Sequence, residues 1–171
     1  NGIERIESGA FAGCQMLTSI QIPQSVTHLE QRLFEDCTKL TQVILPHTVE
    51  RIEPYMFCGC TSLTSYSIPS SIVSIGNNAF ERSGIKSINI PLNVKSIGDS
   101  VFIECSQLER VTIPSTVESF GQTVFAFCNK LSTVYINVKF KNYQDVANIF
   151  EGTNLITSTD FDQCPAIKWT E

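Results

Sequence analysis

Seven cysteines, Cys14, Cys37, Cys58, Cys60, Cys105, Cys128 and Cys164, carry the most reactive chemistry in this chain. An odd number leaves at least one thiol unpaired or paired between molecules. A structural zinc site needs ligand pairs at fixed spacings. Cys58 and Cys60 instead form a lone C-x-C with no second pair and no histidine nearby in sequence. A cysteine nucleophile needs a base to activate it, and no histidine accompanies these cysteines. Asp160 and Asp162 form a D-x-D, but the flanking glycine and third acid of a calcium loop are missing. The chain holds no G-x-S-x-G, P-loop, G-x-G-x-x-G or H-E-x-x-H motif, and no N-x-S/T acceptor for N-glycosylation. What marks the cysteines is their regular spacing.

That regularity belongs to a repeat. Phe11, Phe34, Phe57, Phe80, Phe102 and Phe125 follow one another at 23, 23, 23, 22 and 23 residues. Three positions after each comes Cys14, Cys37, Cys60, Ser83, Cys105 or Cys128. An aliphatic column follows at Leu17, Leu40, Leu63, Ile85, Leu108 and Leu131, its fourth member one residue early. Then come apolar-x-apolar-Pro segments such as Ile20-x-Ile22-Pro23, Tyr66-x-Ile68-Pro69 and Val111-x-Ile113-Pro114. A last apolar pair three apart closes each unit, as in Val26 and Leu29 or Val94 and Ile97, with Ile3 and Ile6 as the same pair in a partial first unit.

A 23-residue unit cannot bury its own apolar face and must stack on copies of itself, which predicts a solenoid. The Leu-x-x-Ile-x-Ile core matches the L-x-x-L-x-L of a leucine-rich repeat. Its alternation predicts a short strand with both isoleucines inward. Strands of successive coils then pair in parallel about 4.8 Å apart. The proline after each strand lacks a donor and ends the ladder. The run into each phenylalanine, such as Gly98–Asp99–Ser100–Val101–Phe102, predicts a turn or a short 3₁₀ or helical piece that drops the ring inward. The expected architecture is therefore an α/β solenoid, with short parallel strands on one face and turns or short helical pieces on the other.

The combined pattern A-F-x-x-C-x-x-L-T-x-I-x-I-P-x-x-V-x-x-I-G resembles the BspA-like leucine-rich repeat, also called the Treponema pallidum type. Its clearest copy here is Ile75-Gly76-Asn77-Asn78-Ala79-Phe80 followed by Ile88-x-Ile90-Pro91, and the resemblance covers about residues 3–136. Members of that family are typically surface-exposed or secreted proteins of host-associated bacteria and of protists such as Trichomonas and Entamoeba. They are associated with adhesion to host matrix proteins or cells. The resemblance thus implies a surface location and a binding role. This copy departs from the pattern where Ser83 replaces the column cysteine. It departs again where Glu7, Glu30 and Glu53 hold the position of Gly76, Gly98 and Gly121.

The phenylalanine column reads as a buried spine. The cysteine column reads as small buried residues whose thiols satisfy turn backbone groups. Coil spacing also permits Cys14–Cys37 or Cys105–Cys128 disulfides. Cys58, off the column, is the expected exposed thiol. His28 and His47 lie in different columns of adjacent coils and read as solvated surface.

Strand alternation names the outward residues, which are the candidate ligand-binding positions. They are Ser19 and Gln21, then Gln42 and Ile44, then Ser65 and Ser67. Further along they are Ser87 and Asn89, Arg110 and Thr112, and Thr133 and Tyr135. Arg110 and Tyr135 are of types favoured in interface hot spots, and Ile44 is an exposed apolar outlier. No acid lies on this face, whereas an enzyme on a β-solenoid would need clustered acids there.

The 171 residues suffice for one domain with a sizeable core. A net charge of −5 and only 17% charged residues argue against a nucleic-acid partner. No run approaches the roughly 18 apolar residues of a membrane span, so no membrane insertion by this segment is expected. Ser and Thr outnumber all charged residues, which suits many weak polar contacts more than electrostatic steering. The expected function is a non-catalytic binding module for a host matrix protein, another surface protein or a glycan, without a cofactor. An intracellular protein-interaction scaffold is the alternative. Residues 1–136 read as the solenoid and 137–171 as a capping segment, with a short helix within Lys139–Phe150. A junction to further domains is the other reading of that segment. The first coil lacks a cap and a leader pattern, so targeting information is expected to lie outside the chain. The open coil also offers a route to self-association.

Overall fold

The computed structural model describes residues 2–136, 148–153, 155 and, as backbone, 167–169. Every coil supplies two short strands and one run of turns. The Ile-x-Ile segments form β2 (Ser19–Gln21), β4 (Gln42–Ile44), β7 (Ser87–Asn89), β9 (Arg110–Ile113) and β11 (Thr133–Ile136), and β12 (Ile167–Trp169) joins them. The closing apolar pairs add a second line that sequence reading did not anticipate. It comprises β1 (Arg5–Ile6), β3 (His28–Leu29), β5 (Arg51–Ile52), β6 (Ser74–Ile75), β8 (Ser96–Ile97) and β10 (Ser119–Phe120). All pairings are parallel and run coil to coil, as in Ser87 opposite Arg110 and Arg110 opposite Thr133. Each proline ends its strand as expected. Its carbonyl then closes a turn by accepting the amide three residues on, as Pro23 does from Val26 at 3.1 Å and Pro69 from Ile72 at 3.0 Å.

The remaining side is built from turns, and the described residues contain almost no helix. Three amides per coil donate to the next coil. Arg32, Phe34 and Asp36 bond the carbonyls of Pro54, Met56 and Cys58 at 2.9, 2.9 and 2.8 Å. The outer two of each trio take left-handed backbone, with φ of 61° at Arg32 and 56° at Asp36. The middle residue is the phenylalanine. From Phe11 to Phe150 seven rings stack with centroids 5.1 to 5.7 Å apart. All but Phe11, at the end, are fully buried. This spine is the column that the 23-residue spacing predicts.

Within the segment proposed as a cap, residues 148–149 are helical and the described part continues both ladders by one rung. Phe125 donates to Ile149 O at 2.8 Å, Phe150 stacks 5.3 Å from Phe125, and β12 pairs with β11. Asp160, Asp162 and Cys164 lie outside the described residues.

Each strand line has one break. The second line is interrupted between β3 and β5, and the first between β4 and residues 65–67, where only Ser65 bridges onward to Ser87. The glycine column explains part of this. A Cβ at Gly76 would meet Pro54 N at 2.7 Å, and one at Gly121 would meet Gly98 C at 2.3 Å. The rung is closed in all three places where the incoming coil brings Gly76, Gly98 or Gly121. It is open where the incoming residue is Glu53. Glu30 is accommodated because its carboxylate pairs with Arg5 and accepts the Ser8 amide at 3.1 Å. That pairing holds the Glu30 carboxyl below its ordinary range.

Candidate binding surface

The strand register assembles ten of the twelve candidate positions in two rows, and an isolated bridge from Ser65 to Ser87 adds an eleventh. Ser19 lies beside Gln42, and Ser87, Arg110 and Thr133 continue that row. Gln21 lies beside Ile44, and Asn89, Thr112 and Tyr135 continue the other. Ser65 and Ser67 stand between the two halves. Ten of the twelve are exposed, and Thr133 and Tyr135 are half-buried. Their inward neighbours Val43, Ile88, Val111 and Val134 are buried, so the alternation divides the strands as predicted.

The break in this face has a cause at one residue. Tyr66 stands where other coils place isoleucine or valine. Its ring is wedged against Phe57 and Phe80, with centroids 4.9 and 5.7 Å away. The longer side chain needs more room, and residues 65–67 make no ladder pairing with β4. A depression of about 570 Å³ opens there, lined by Gln42, Ile44, Ser65, Tyr66 and Ser67 among others. None of its lining residues is charged. The Tyr66 hydroxyl is buried without a hydrogen-bond partner, and burial pushes its ionisation up. A buried unsatisfied donor costs about 1–3 kcal/mol. Tyr66→Phe is therefore expected to stabilise the protein by about 1 kcal/mol, read as a raised midpoint in urea. A lowered midpoint would show that the hydroxyl has a partner in solution. The one signal for this break in the sequence was an aromatic residue in an aliphatic column.

The cysteines form a second ladder. Cys37, Cys60, Cys105 and Cys128 each donate the thiol to a phenylalanine carbonyl of the preceding coil. The acceptors are Phe11, Phe34, Phe80 and Phe102, at 3.0, 3.2, 3.0 and 3.0 Å. Ser83 takes the missing place, 3.4 Å from Cys105 Sγ. The six described cysteines are all free, so neither conceivable disulfide forms. The exposed thiol is Cys14, in the first coil, and not Cys58. Cys58 is 1% exposed because coil stacking covers its turn, and Arg82 Nη2 lies 3.6 Å from its sulfur. Burial pushes the Cys58 thiol up to about 11. His28 and His47 are both exposed, as expected of surface residues. Among the described residues no group of three His, Cys, Asp or Glu side chains is placed to hold a metal ion. No helix of the described residues is long and apolar enough to cross a membrane.

Parallel 23-residue coils with an L-x-x-L-x-L strand and a polar strand face define a leucine-rich repeat solenoid, a fold that is in general a non-catalytic binding module. The chain belongs to the BspA type leucine rich repeat family, whose model matches residues 1–109 and 31–157 with six copies of the repeat. No curated protein matches it. Its fold is similar to that of a leucine-rich repeat protein from Bacteroides ovatus, with 36% identity and a TM-score of 0.75 over 80% of this chain and 36% of that one. It is also similar to the leucine-rich repeat protein of T. pallidum, with 26% identity and a TM-score of 0.60 over 75% and 72% of the two chains. A leucine rich cell surface protein from Faecalibacterium prausnitzii matches at 27% identity and a TM-score of 0.51, over 88% and 33%. The chain thus spans about a third of the Bacteroides and Faecalibacterium proteins and most of the T. pallidum one.

Proposed function

We propose that this chain is a non-catalytic binding module of a surface-displayed or secreted protein, and that its strand face recognises a host matrix protein, another surface protein or a glycan. One observation carries the reading. Two blocks of paired strands, β2 with β4 and β7 with β9 and β11, present rows of mostly short polar side chains, almost without charge, with a depression beside Ile44 and Tyr66 between them. Such rows offer many weak donors and acceptors over an extended surface, the usual mode of solenoid binding. Arg110 and Tyr135, on adjacent strands, supply the two side chains best suited to anchor a partner. The surface location draws on the Faecalibacterium relative, which is described as a cell surface protein. The N-terminal coil exposes Ile3 and Met16, and self-association there is part of the same proposal. An intracellular scaffold is the second reading, favoured by the six free cysteines.

The test is binding of the purified chain to a panel of host matrix proteins, host surface proteins and glycans, beside an Arg110→Ala/Tyr135→Ala double variant. The expected result is saturable binding that weakens about tenfold or more in the variant, since each anchor contributes about 1 kcal/mol or more. Binding that the double variant leaves unchanged would remove the strand face as the site. No binding to any panel member would favour the scaffold.

A further inference from the structure

A second surface, on the turn side, breaks the local rules of the repeat. The last left-handed position of each coil is occupied by Gly13, Asp36, Gly59 and Gly152 in four coils, all residue types that tolerate positive φ. In three consecutive coils it holds Arg82, Glu104 and Phe127 instead, with φ of 52°, 58° and 59°. A bulky side chain in that region is strained, as it is at Arg32, Tyr55 and Thr123 on the other left-handed position; what sets these three coils apart is that the side chains stand side by side. Phe127 is 45% exposed, although it is one of the largest apolar side chains. Its ring lies over Gly152, where an added Cβ would meet Phe127 Cδ1 at 2.5 Å. Glycine at 152 therefore makes room for the ring.

The same place carries the one-residue deletion. The turn Ser83–Gly84–Ile85 is one residue shorter than its neighbours and sinks against the preceding coil. Gly84 N donates to Cys60 O at 3.1 Å, and a Cβ at Gly84 would meet Thr61 O at 2.0 Å. No side chain of that turn stands between Thr61 and Ser106. A shallow depression of about 580 Å³ results, lined by Thr61, Arg82, Glu104, Ser106, Phe127 and Asn129. Its volume falls within the about 300–1,000 Å³ of small-molecule sites. Glu104 makes no ion pair among the described residues. Arg82 is drawn toward Glu81, 3.5 Å away.

We infer that this depression is a binding site for a neutral carbohydrate. A pyranose presents an apolar C–H face and a rim of hydroxyls, and the site offers the complement of each. The Phe127 ring supplies a flat apolar surface. The Glu104 carboxylate accepts hydroxyl protons, and bonds to an ionised acceptor are the stronger kind. The Arg82 guanidinium and Asn129 amide donate, and Thr61 and Ser106 do either. Glu81 already pairs with Arg82, so Glu104 leaves the site with one net negative charge. That charge disfavours an anion, while the aromatic face and the several donors and acceptors fit a polyhydroxylated ligand better than a bare cation. This site lies apart from the strand face and does not rest on the function proposed for it.

The test is saturation-transfer NMR and calorimetry of the whole chain with millimolar maltotriose, cellotriose, mannotriose and chitotriose, and with tetralysine as a cationic probe. At least one trisaccharide is expected to bind saturably, with affinity unchanged by added salt. Phe127→Gly and Glu104→Gln should each weaken it about tenfold or more. Phe127→Gly should keep or raise the melting temperature, because glycine relieves the left-handed backbone, so lost binding will not mean lost fold. The Arg110→Ala/Tyr135→Ala variant should bind the sugar like the parent chain. Failure of all four trisaccharides overturns the inference, as does sugar binding that survives both variants. Tetralysine binding that is lost in Glu104→Gln, without sugar binding, overturns it in favour of a cation site.

Discussion

Phe80→Ala is expected to cost about 4 kcal/mol, the range for a large aromatic removed from a packed core. Phe80 is fully buried, with Phe57 and Phe102 stacked at 5.1 and 5.3 Å and Tyr66 at 5.7 Å. Its backbone bonds do not depend on the ring. Phe80 N still reaches Val101 O, and Phe80 O still accepts the Cys105 thiol. What is lost is the contact between coils, the term that makes a repeat array fold as one unit. The variant is therefore expected to unfold in two steps, with the coils on either side of the gap separating. Phe11→Ala is the control. That ring is half-buried and stacks on one neighbour only, so it should cost less than half as much and leave one transition. Urea unfolding followed by circular dichroism reads both. Equal costs at the two positions would show that the spine is not a cooperative element.

The protein is expected to lose stability steeply as pH rises above about 9, and to unfold near pH 11, because its thiols are buried. Burial pushes Cys58 up to about 11 and Cys105 up to about 12, from an ordinary value of 9.0. Cys60 and Cys128 are raised by the same cause. The sign follows from proton counts. Between the unfolded and folded values the native state keeps a proton that the unfolded chain has released. Stability from this source is thus complete below pH 9 and falls as pH rises. Each thiol contributes a slope of up to about 1.4 kcal/mol per pH unit. Four acting together would consume a typical net stability of about 5–15 kcal/mol within two or three units. Melting temperature measured from neutral pH upward tests this, and Cys105→Ala should make the fall shallower by about a quarter. A melting temperature that stays flat to pH 11 would mean that the thiols are open to solvent. Burial also raises the Cys37 thiol and the Tyr66 hydroxyl, and both add to the same trend.

The repeat was legible because a stacked coil imposes the same environment at the same position every turn. Phe34, Cys37, Leu40, Val43 and Leu45 are buried in a core whose surroundings repeat from one coil to the next. Their types are therefore dictated by period alone. The twelve strand-face positions followed by the same logic, since alternation along an extended segment leaves two directions only. Where a residue's surroundings come from a different column, the sequence was silent or misleading. Cys58 looked exposed because it is out of phase with the cysteine column, yet the next coil's Arg82 covers it. The second strand line escaped notice because two-residue strands carry too little alternation to read.

Sequence alone thus determined the coil length, the spine, the inward and outward faces of the main strands, and the family resemblance that the comparison confirmed. Each is a one-dimensional property, repeated often enough to stand above chance. Only the tertiary structure decided where the ladders break, which thiol is exposed, and how the short turn at Gly84 brings Arg82, Glu104 and Phe127 around one depression. Those outcomes depend on fractions of an ångström between coils, set by a single Cβ at the glycine column or a single oversized ring at Tyr66. Spacing in sequence does not record such contacts, because they form only when the coils are pressed together.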